Sequence, residues 1–338
     1  MTLLADRLVA LPAPDSAAIE AVRTRASNVL RPAGALAWLD DVAVWKAGWQ
    51  RSVTPTVERP SVLVFAGDHG VTAAGVSNYP SDVTAAMLAA TRQGKATINA
   101  FARSAGATVT AVDVGVGEPT GDMRVEAALS RERFDEITRI AFDAVDALDG
   151  DLLVLGELGI GNTTAAAAIA AAFAGGEATV WVGRGTGVDD DGLARKRAAV
   201  QESVRRIAGV IDPMEILREV GGSELVGMAA ACVAARHRSI PVVLDGYICT
   251  SAMLPIHRAN GAALDHCIVG HCSAEPGHRL LLDRLGKQPL LDLDMRLGEG
   301  SGAMAAVPLV RMACAGVVEV PTFDEFFGAG SVGGSDGV

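Results

Sequence analysis

The segment from 151 to 164 constrains the fold more than any other part of the chain. An apolar run, DLLVL at 151–155, leads into GELGIGNTT at 156–164, and an alanine-rich stretch follows. This pattern predicts a strand, a glycine turn and the N-terminus of a helix. Glycines let backbone N–H groups approach an anion, and the positive end of the helix dipole favours negative charge. The turn therefore predicts a phosphate site, in which Glu157 must face another part of the ligand, such as ribose hydroxyls or a developing cation.

The composition indicates how the core is built and which partners are excluded. Half of the residues are hydrophobic but only 4% are aromatic, so the core must be aliphatic, which suits helices packed on a parallel sheet. The formal net charge of -11 argues against nucleic-acid binding, which needs clustered Lys and Arg. Small molecules remain as the expected partners.

Cysteine usage and apolar runs indicate a cytoplasmic protein. The five cysteines are odd in number and lack CxxC spacing, which favours a reducing compartment and argues against both disulfides and zinc. The apolar run at 165–174 is half of the roughly 20 residues that a bilayer span needs. The N-terminus carries an early acid, Asp6, and no basic region, so it does not read as a signal peptide.

The chain is predicted to have three regions. These are an N-terminal helical arm or subdomain at 1–58, an α/β nucleotide-binding catalytic domain at 59–327, and a flexible, low-complexity tail at 328–338. Within the first region Asp15 is expected to cap a helix, and Pro32-Ala33-Gly34 to separate two helices. Short β-branched runs in the second region predict strands at 62–66, 108–114, 152–155, 179–182, 241–244, 267–269 and 290–293. Alternation with helical stretches predicts a doubly wound, mostly parallel sheet flanked by helices.

Ligands of such sheets bind beyond the carboxyl ends of the strands. The segments that follow the predicted strands are rich in glycine and polar residues, at 67–70, 156–164, 183–187, 245–246, 270–271 and 298–302. Neither a Walker A sequence nor a Gly-x-Gly-x-x-Gly opening the first βαβ unit is present, so ATP hydrolysis and ordinary dinucleotide binding lose ground. The pattern predicts a nucleotide-type site without a metal or cofactor.

Several side chains have both a chemical and a structural interpretation. Lys196 follows the acid run 189–191, which is expected to cap a helix, and it is either a phosphate ligand or a solvated lysine. His69 and His271 are more often turn residues than catalysts at such positions. Ser273 looks like an N-cap that could also hold an anion. Glu299, between two glycines, is either a surface acid or a desolvated general base.

Six segments together resemble the nicotinate-nucleotide:dimethylbenzimidazole phosphoribosyltransferases, enzymes that make the lower-ligand nucleotide of cobalamin. They are GELGIGNTT at 156–164, DHGV at 68–71, GGSELVGM at 221–228, VLDG at 243–246, SAEPG at 273–277 and MRLGEGSG at 295–302. The likeness runs in order along nearly the whole chain. It implies transfer of phosphoribose from nicotinate mononucleotide to a benzimidazole-type base, and a homodimer.

The resemblance also implies site residues. Glu299 would be the general base, and Glu157 would lie by the ribose and the reaction centre. The phosphate and ribose would be bound by Gly159, Gly161, Asn162, Thr163, Gly183, Arg184, Gly185, Lys196 and Ser273. The acceptor base would lie against Tyr79, Ala86, Met87 and Leu297.

The base pocket departs from the family pattern. Many relatives carry a glutamine where Ala86 or Met87 stands here, and some carry serine in place of Tyr79. This less polar lining leaves dimethylbenzimidazole, adenine, another benzimidazole and a phenol open as acceptors. A nucleotide hydrolase and a non-catalytic nucleotide sensor are the alternative functions, since the same phosphate site would serve either.

Overall fold

Six parallel strands form a sheet at the centre of the molecule. The computed structural model describes residues 2–328, so all but the first residue of the predicted tail at 328–338 lies outside the described residues. The strands are β1 Pro60–Ala66, β2 Thr108–Asp113, β3 Leu152–Leu158, β4 Val242–Leu244, β5 Cys267–Cys272 and β6 Pro289–Asp292. Their order in the sheet is β2-β1-β3-β4-β5-β6, and each neighbouring pair is parallel.

Helices surround this sheet. In the first half of the chain they are α1 Leu3–Arg7, α2 Ser16–Asn28, α3 Trp38–Gln50, α4 Asp82–Arg92, α5 Thr97–Ala105, α6 Arg131–Asp146 and α7 Asn162–Ala174, with a 3₁₀ helix at Gly70–Ala74. In the second half they are α8 Ala178–Trp181, α9 Asp190–Arg206, α10 Pro213–Val220, α11 Ser223–His237, α12 Tyr247–Ala259, α13 Pro276–Leu285, α14 Ser301–Val318 and α15 Phe323–Phe327.

The two faces of the sheet bury different helices. Alternation along β1 sends Leu63 and Phe65 into a core shared with α6, α7 and α11, while Val62 and Val64 pack in a second core with α3, α5 and α14. All seven residues of β1 are buried, as expected for a strand covered on both sides. The predicted doubly wound α/β fold is therefore confirmed.

One predicted strand is wrong. Residues 179–182 do not join the sheet, because Ala178–Trp181 form the short helix α8. Trp181 is 1% exposed, and its indole N–H donates a 2.8 Å hydrogen bond to the carbonyl of Gly175 at the end of α7. Packing of this one indole thus overrides the β propensity of a four-residue segment.

The N-terminal helices lie against the last long helix. Asp15 caps α2 by accepting hydrogen bonds from the N–H groups of residues 17 and 18, and 32–34 lie between α2 and α3 as predicted. Arg25 of α2 donates to the carbonyl oxygens of Val317 and Val320, at 2.8 and 3.0 Å. The apolar faces of α2 and α3 share the second core with α14. The division at residue 58 stays a prediction.

Helix α14 is the one described helix that is long and apolar enough to cross a membrane by length and composition. More than half of it is buried against the sheet and α3, however, and such a core helix does not indicate a membrane protein. Its function in the fold is to carry the segment 298–302 to the carboxyl ends of β3 and β4, where the cavity lies.

Candidate active site

A cavity of about 450 Å³ opens at the carboxyl ends of the strands. Thirteen residues that the sequence predicted for the site line it: Tyr79, Met87, Glu157, Gly159, Gly161, Asn162, Thr163, Arg184, Gly185, Lys196, Ser273, Leu297 and Glu299. Two others do not. Ala86 is exposed on the outer side of α4, and Gly183 is buried beneath Glu275 and Pro276. The fold thus brings together residues that are as much as 220 positions apart in sequence (299 − 79).

Two glycines allow the glutamate-bearing segments to meet. A Cβ on Gly156 would lie 2.2 Å from the carbonyl of Glu299, and one on Gly298 would lie 2.2 Å from Oε1 of Glu157. Strand β3 extends through Leu158, so Glu157 is a strand residue and only 159–161 form the turn. This corrects the sequence interpretation, in which the strand ended at 155.

Glu157 is buried with few compensating charges. It is 6% exposed, and Oε2 accepts a 2.5 Å hydrogen bond from Nδ2 of Asn162, the first residue of α7. Burial raises the pKa of Glu157 well above its usual value, and the carboxylates of Glu224 and Asp245 raise it further. A ligand that brings or develops positive charge beside Glu157 would relieve this repulsion.

Glu299 is held in an unusual backbone conformation. Its φ is +69°, in the left-handed region that costs a non-glycine residue roughly 1–3 kcal/mol. Oε2 accepts a 3.2 Å hydrogen bond from the N–H of Ile98 at the start of α5. Burial raises the pKa of Glu299, and the Ile98 bond opposes that shift. The side chain is therefore a buried base candidate whose direction is fixed by a backbone donor.

A cationic pocket lies in the same cavity, beside the start of α7. Nζ of Lys196, a residue only 2% exposed, is 3.0 Å from Oγ1 of Thr163 at the N-terminus of α7. A Cβ on Gly185 would lie 3.0 Å from that Nζ, so the glycine leaves the amine accessible from the loop. Burial lowers the pKa of Lys196 to about 8, against the opposing effect of Glu275. Lysine, helix N-terminus and glycine turn together suit a phosphate.

Ser273 does not cap α13 as the sequence suggested. Glu275 is the N-cap residue, and the N–H of Ser273 instead donates a 2.8 Å hydrogen bond to Nδ1 of His278. That bond leaves the ring proton on Nε2, which lies 3.1 Å from Oγ1 of Thr250. Burial lowers the pKa of His278 to about 3, so the ring is neutral. The helix thus orients Ser273 through a histidine, because α13 begins two residues later than a cap at Ser273 requires.

The remaining wall of the cavity is apolar. Val83 and Met87 lie one turn apart on α4 and face the cavity, while Tyr79 and Leu297 stand at its mouth with 50% and 46% of their surface exposed. Their neighbours in the wall are Val76 and Ile248. A flat aromatic ring with few polar groups fits such a lining.

Sequence reasoning missed two charged residues of the cavity, Glu275 and Arg296. The sequence places Glu275 in the first turn of a helix; in the structure it is half-buried near Lys196, and burial raises its pKa while Lys196 lowers it. Arg296 precedes a predicted site loop, which was the available signal. Asp245, which was expected at a strand end, accepts a 2.8 Å hydrogen bond from the N–H of Ala303, and its Oδ1 is 3.3 Å from Nε2 of His271.

The fold also groups two cysteines that the sequence leaves scattered. Sγ of Cys232 and Sγ of Cys267 are 3.5 Å apart, with the ring of His266 beside them, all buried and outside the cavity lining. Nε2 of His266 is 2.9 Å from the carbonyl oxygen of Cys232, so one ring nitrogen already has a backbone partner.

A parallel sheet, a glycine turn at a helix N-terminus beside a buried lysine, and buried carboxylates in the same cavity are features that suit a phosphorylated sugar as ligand. A phosphoribosyltransferase family model matches residues 11–326. The chain is 46% identical over 325 residues to the nicotinate-nucleotide–dimethylbenzimidazole phosphoribosyltransferase of Cereibacter sphaeroides strain KD131, covering 96% of this chain and 95% of that protein. It is 48% identical over 304 residues to the protein of that name from Mesorhizobium japonicum, with 90% of each covered.

A solved structure agrees with these matches. The nicotinate-nucleotide–dimethylbenzimidazole phosphoribosyltransferase of Thermus thermophilus superposes with a TM-score of 0.88 at 37% identity, covering 93% of this chain and 99% of that one. The chain belongs to the family of nicotinate-nucleotide–dimethylbenzimidazole phosphoribosyltransferases, which are pentosyltransferases. The resemblance predicted from the sequence motifs is confirmed.

Proposed function

We propose that this protein transfers the 5-phosphoribosyl group of nicotinate mononucleotide to 5,6-dimethylbenzimidazole or an analogue, giving α-ribazole 5'-phosphate and nicotinate. The observation that carries the proposal is the polarity of the cavity. The start of α7 contacts both polar groups, with Thr163 against Lys196 and Asn162 against Glu157, and Glu299 and an apolar wall line the same cavity. A ribotide with an anionic phosphate and a reacting sugar carbon matches this arrangement.

The phosphate end fixes the donor. We assign the phosphate to the glycine turn 159–161, to Gly185 and to Lys196, with Thr163 and Ser273 as hydroxyl donors. Arg184 lines the same end, although it also pairs with Asp190 at 2.5 Å. Binding through this remote group holds the sugar carbon near the acids, which lowers the entropic cost of reaction. The proposal gives Ala86 and Gly183 no direct contact with substrate.

The acids act at the sugar carbon. As the bond from C1' to the nicotinate nitrogen breaks, the electron pair leaves with the ring, which becomes neutral at that nitrogen, and positive charge grows on the ribose. The buried carboxylate of Glu157 stabilises that charge in a low-dielectric site, with Asn162 fixing its position. No acid for the leaving group is needed, since the pyridinium departs as a neutral ring.

The base completes the transfer. One nitrogen of the acceptor attacks C1' from the face opposite the departing ring, which converts a β-linked donor into an α-linked product. The proton on the other acceptor nitrogen then passes to Glu299, whose raised pKa makes it a stronger base than an exposed glutamate. The apolar residues Met87, Tyr79 and Leu297 would hold the ring of the acceptor.

Product analysis tests the proposal. Incubation with nicotinate mononucleotide and dimethylbenzimidazole, without added magnesium, is expected to yield nicotinate and α-ribazole phosphate in equal amounts by liquid chromatography and mass spectrometry. A hydrolase would instead release nicotinate and ribose 5-phosphate without any base. A sensor would bind the nucleotide in calorimetry and form no product. Failure with dimethylbenzimidazole, adenine, other benzimidazoles and phenols would overturn the transfer assignment.

We also propose that the protein works as a homodimer in the cytoplasm. All five thiols are free, as expected for a reducing compartment. Leu36 and Met312 are 39% and 55% exposed on neighbouring parts of the second core's outer surface, which supports a buried contact with a second copy. Sedimentation equilibrium is expected to give twice the chain mass, and a monomer at all concentrations would contradict it.

A further inference from the structure

A buried pair of side chains, His69 and Glu224, lies directly behind the cavity wall. Nε2 of His69 is 2.6 Å from Oε1 of Glu224, and the two side chains are 1% and 0% exposed. His69 follows β1, and Glu224 is the second residue of α11. Neither residue lines the cavity, so the pair has no direct access to a substrate there.

Three glycines make room for this pair. A Cβ on Gly159 would lie 2.6 Å from Oε1 of Glu224, and one on Gly222 would lie 2.2 Å from Cε1 of His69. A Cβ on Gly67 would be 3.2 Å from Oε2 of Glu224. The turn after β1, the turn after β3 and the start of α11 therefore close around the two side chains and leave little room for any residue larger than glycine at these positions.

The pair connects to Glu157 through one intervening turn. The position of a Cβ on Gly159 is 2.6 Å from Glu224 Oε1 and 3.2 Å from Nδ2 of Asn162. That same Nδ2 donates the 2.5 Å hydrogen bond to Glu157. Glu224 and the amide of Asn162 thus both lie against Gly159, so a shift of the pair would displace the turn that leads into Asn162.

The charge of Glu224 also acts on Glu157 in the site. Its Oε2 has no hydrogen-bond partner among the described residues, and the residue lies in the first turn of α11. The charged groups that act on Glu157 are Glu224 from α11, Asp245 after β4 and Glu299 before α14. Of these three acids, only Glu224 lies outside the cavity lining. Nε2 of His69 holds it there at hydrogen-bond distance.

We propose that Glu224, held by His69, is a positioning residue that fixes the turn 159–161 and thereby the Asn162–Glu157 bond. The expected effect on turnover rests on the proposed function, whereas the geometry of the pair is independent of it. Its carboxylate has a second effect, because negative charge behind Gly159 disfavours ionisation of Glu157. A substitution that removes this charge but keeps the side-chain volume distinguishes a positioning role of Glu224 from a packing role.

Glu224→Gln tests the pair. We expect kcat to fall roughly 10-fold, because a small displacement of reacting groups costs that much or more. KM for nicotinate mononucleotide should change less than kcat, since Lys196 and Gly185, which we also assign to the phosphate, come from other elements. The acidic limb of the kcat/KM profile should move to lower pH, as expected when a neighbouring like charge is lost.

Two further variants separate the possible causes. Glu219→Gln breaks an ion pair with Arg206 outside the cavity lining, so it should lower the melting temperature without moving the pH profile. His69→Gln removes the partner but keeps the charge of Glu224. It should lower kcat without moving the acidic limb to lower pH, and it serves in place of Glu224→Gln if that variant does not fold.

The outcome does not depend on turnover alone. Carbon-13 NMR titration of labelled glutamate, with Glu157 assigned by Glu157→Gln, reports the same pKa without any reaction. A lower Glu157 pKa in Glu224→Gln supports the pair even if no acceptor base is converted, in which case only the proposed function fails. A folded Glu224→Gln variant with the wild-type kcat, pH limb and Glu157 titration would overturn the inference.

Discussion

The backbone N–H of Glu299 donates a 3.0 Å hydrogen bond to the carbonyl oxygen of Glu157. A main-chain bond thus joins two acids that are 142 positions apart in sequence (299 − 157). Because the bond is between backbones, it occupies neither carboxyl group. The relative position of the two carboxyl groups depends on how closely the two chains approach, and this is decided by the glycines beside them.

Gly298→Ala is expected to separate the acids. Its new Cβ would lie 2.2 Å from Oε1 of Glu157, so the two segments must move apart, and we expect kcat/KM to fall on the order of 10²-fold. Gly261→Ala is the matched control, because nothing lies within 4 Å of a Cβ there. Steady-state kinetics of both variants check this. Wild-type kcat/KM in a folded Gly298→Ala variant would show that the close approach is not needed.

Glu299→Gln should abolish most turnover while donor binding persists. Loss of the base is expected to lower kcat by roughly 10²-fold or more, because general-base catalysis usually contributes that much. Calorimetry should give a nicotinate mononucleotide affinity within a few-fold of wild type, since the phosphate end is untouched. The control is Glu319→Gln at the other end of α14, which is exposed. An active Glu299→Gln variant would remove the residue from this role.

Lowering the pH is expected to reduce activity and, at the same time, to remove the destabilising effect of the Glu157 carboxylate. The folded pKa of Glu157 is raised above 4.5, so its carboxylate costs stability above that raised pKa, and the cost disappears as the pH falls through it. Glu157→Gln should therefore melt higher than wild type above the raised pKa, by a margin that shrinks as the pH is lowered towards 4.5. Activity falls over the same window, since Glu157 and Glu299 become protonated. A constant margin across this range would contradict the raised pKa.

Donor affinity should fall at alkaline pH. In the free protein Lys196 loses its proton as the pH rises through about 8, whereas a bound phosphate favours the ammonium form. Binding above this pH must take up a proton, so affinity falls by up to about tenfold per pH unit. Calorimetry in buffers of different ionisation enthalpy measures that uptake. It should vanish in Lys196→Met and persist in Lys95→Met, a change at an exposed lysine.

Met87→Gln is expected to change the preference for the acceptor base. A polar amide in the apolar wall should favour adenine over dimethylbenzimidazole, with the ratio of kcat/KM values shifting roughly 10-fold, the usual effect of one polar contact. Ala86→Gln is the matched control, because Ala86 is on the same helix but does not line the cavity. Competition assays with both bases distinguish the two variants. Equal ratios in both would mean that this wall does not select the base.

The sequence was sufficient to predict the fold and most of the cavity lining, for identifiable reasons. Apolar runs that end in glycine and polar residues mark the carboxyl ends of parallel strands, and these ends meet at one edge. The sequence could not show which side chains pack against each other in three dimensions. The helix at Ala178–Trp181 depends on where one indole packs, and the pairing of Ser273 with His278 depends on the length of a turn. Ala86 and Met87 are adjacent in sequence, and only the rotation of α4 decides which faces the ligand.

The position of α14 at the end of the fold has a consequence for how activity is acquired during synthesis. Lys196, Thr163 and the glycine turn belong to elements that are complete before residue 210, whereas Glu299 enters with a helix that docks on α3 and on β5. A nascent chain therefore contains Lys196, Thr163 and the glycine turn before it contains a base. Catalysis would thus report that α14 has docked on α3 and on β5.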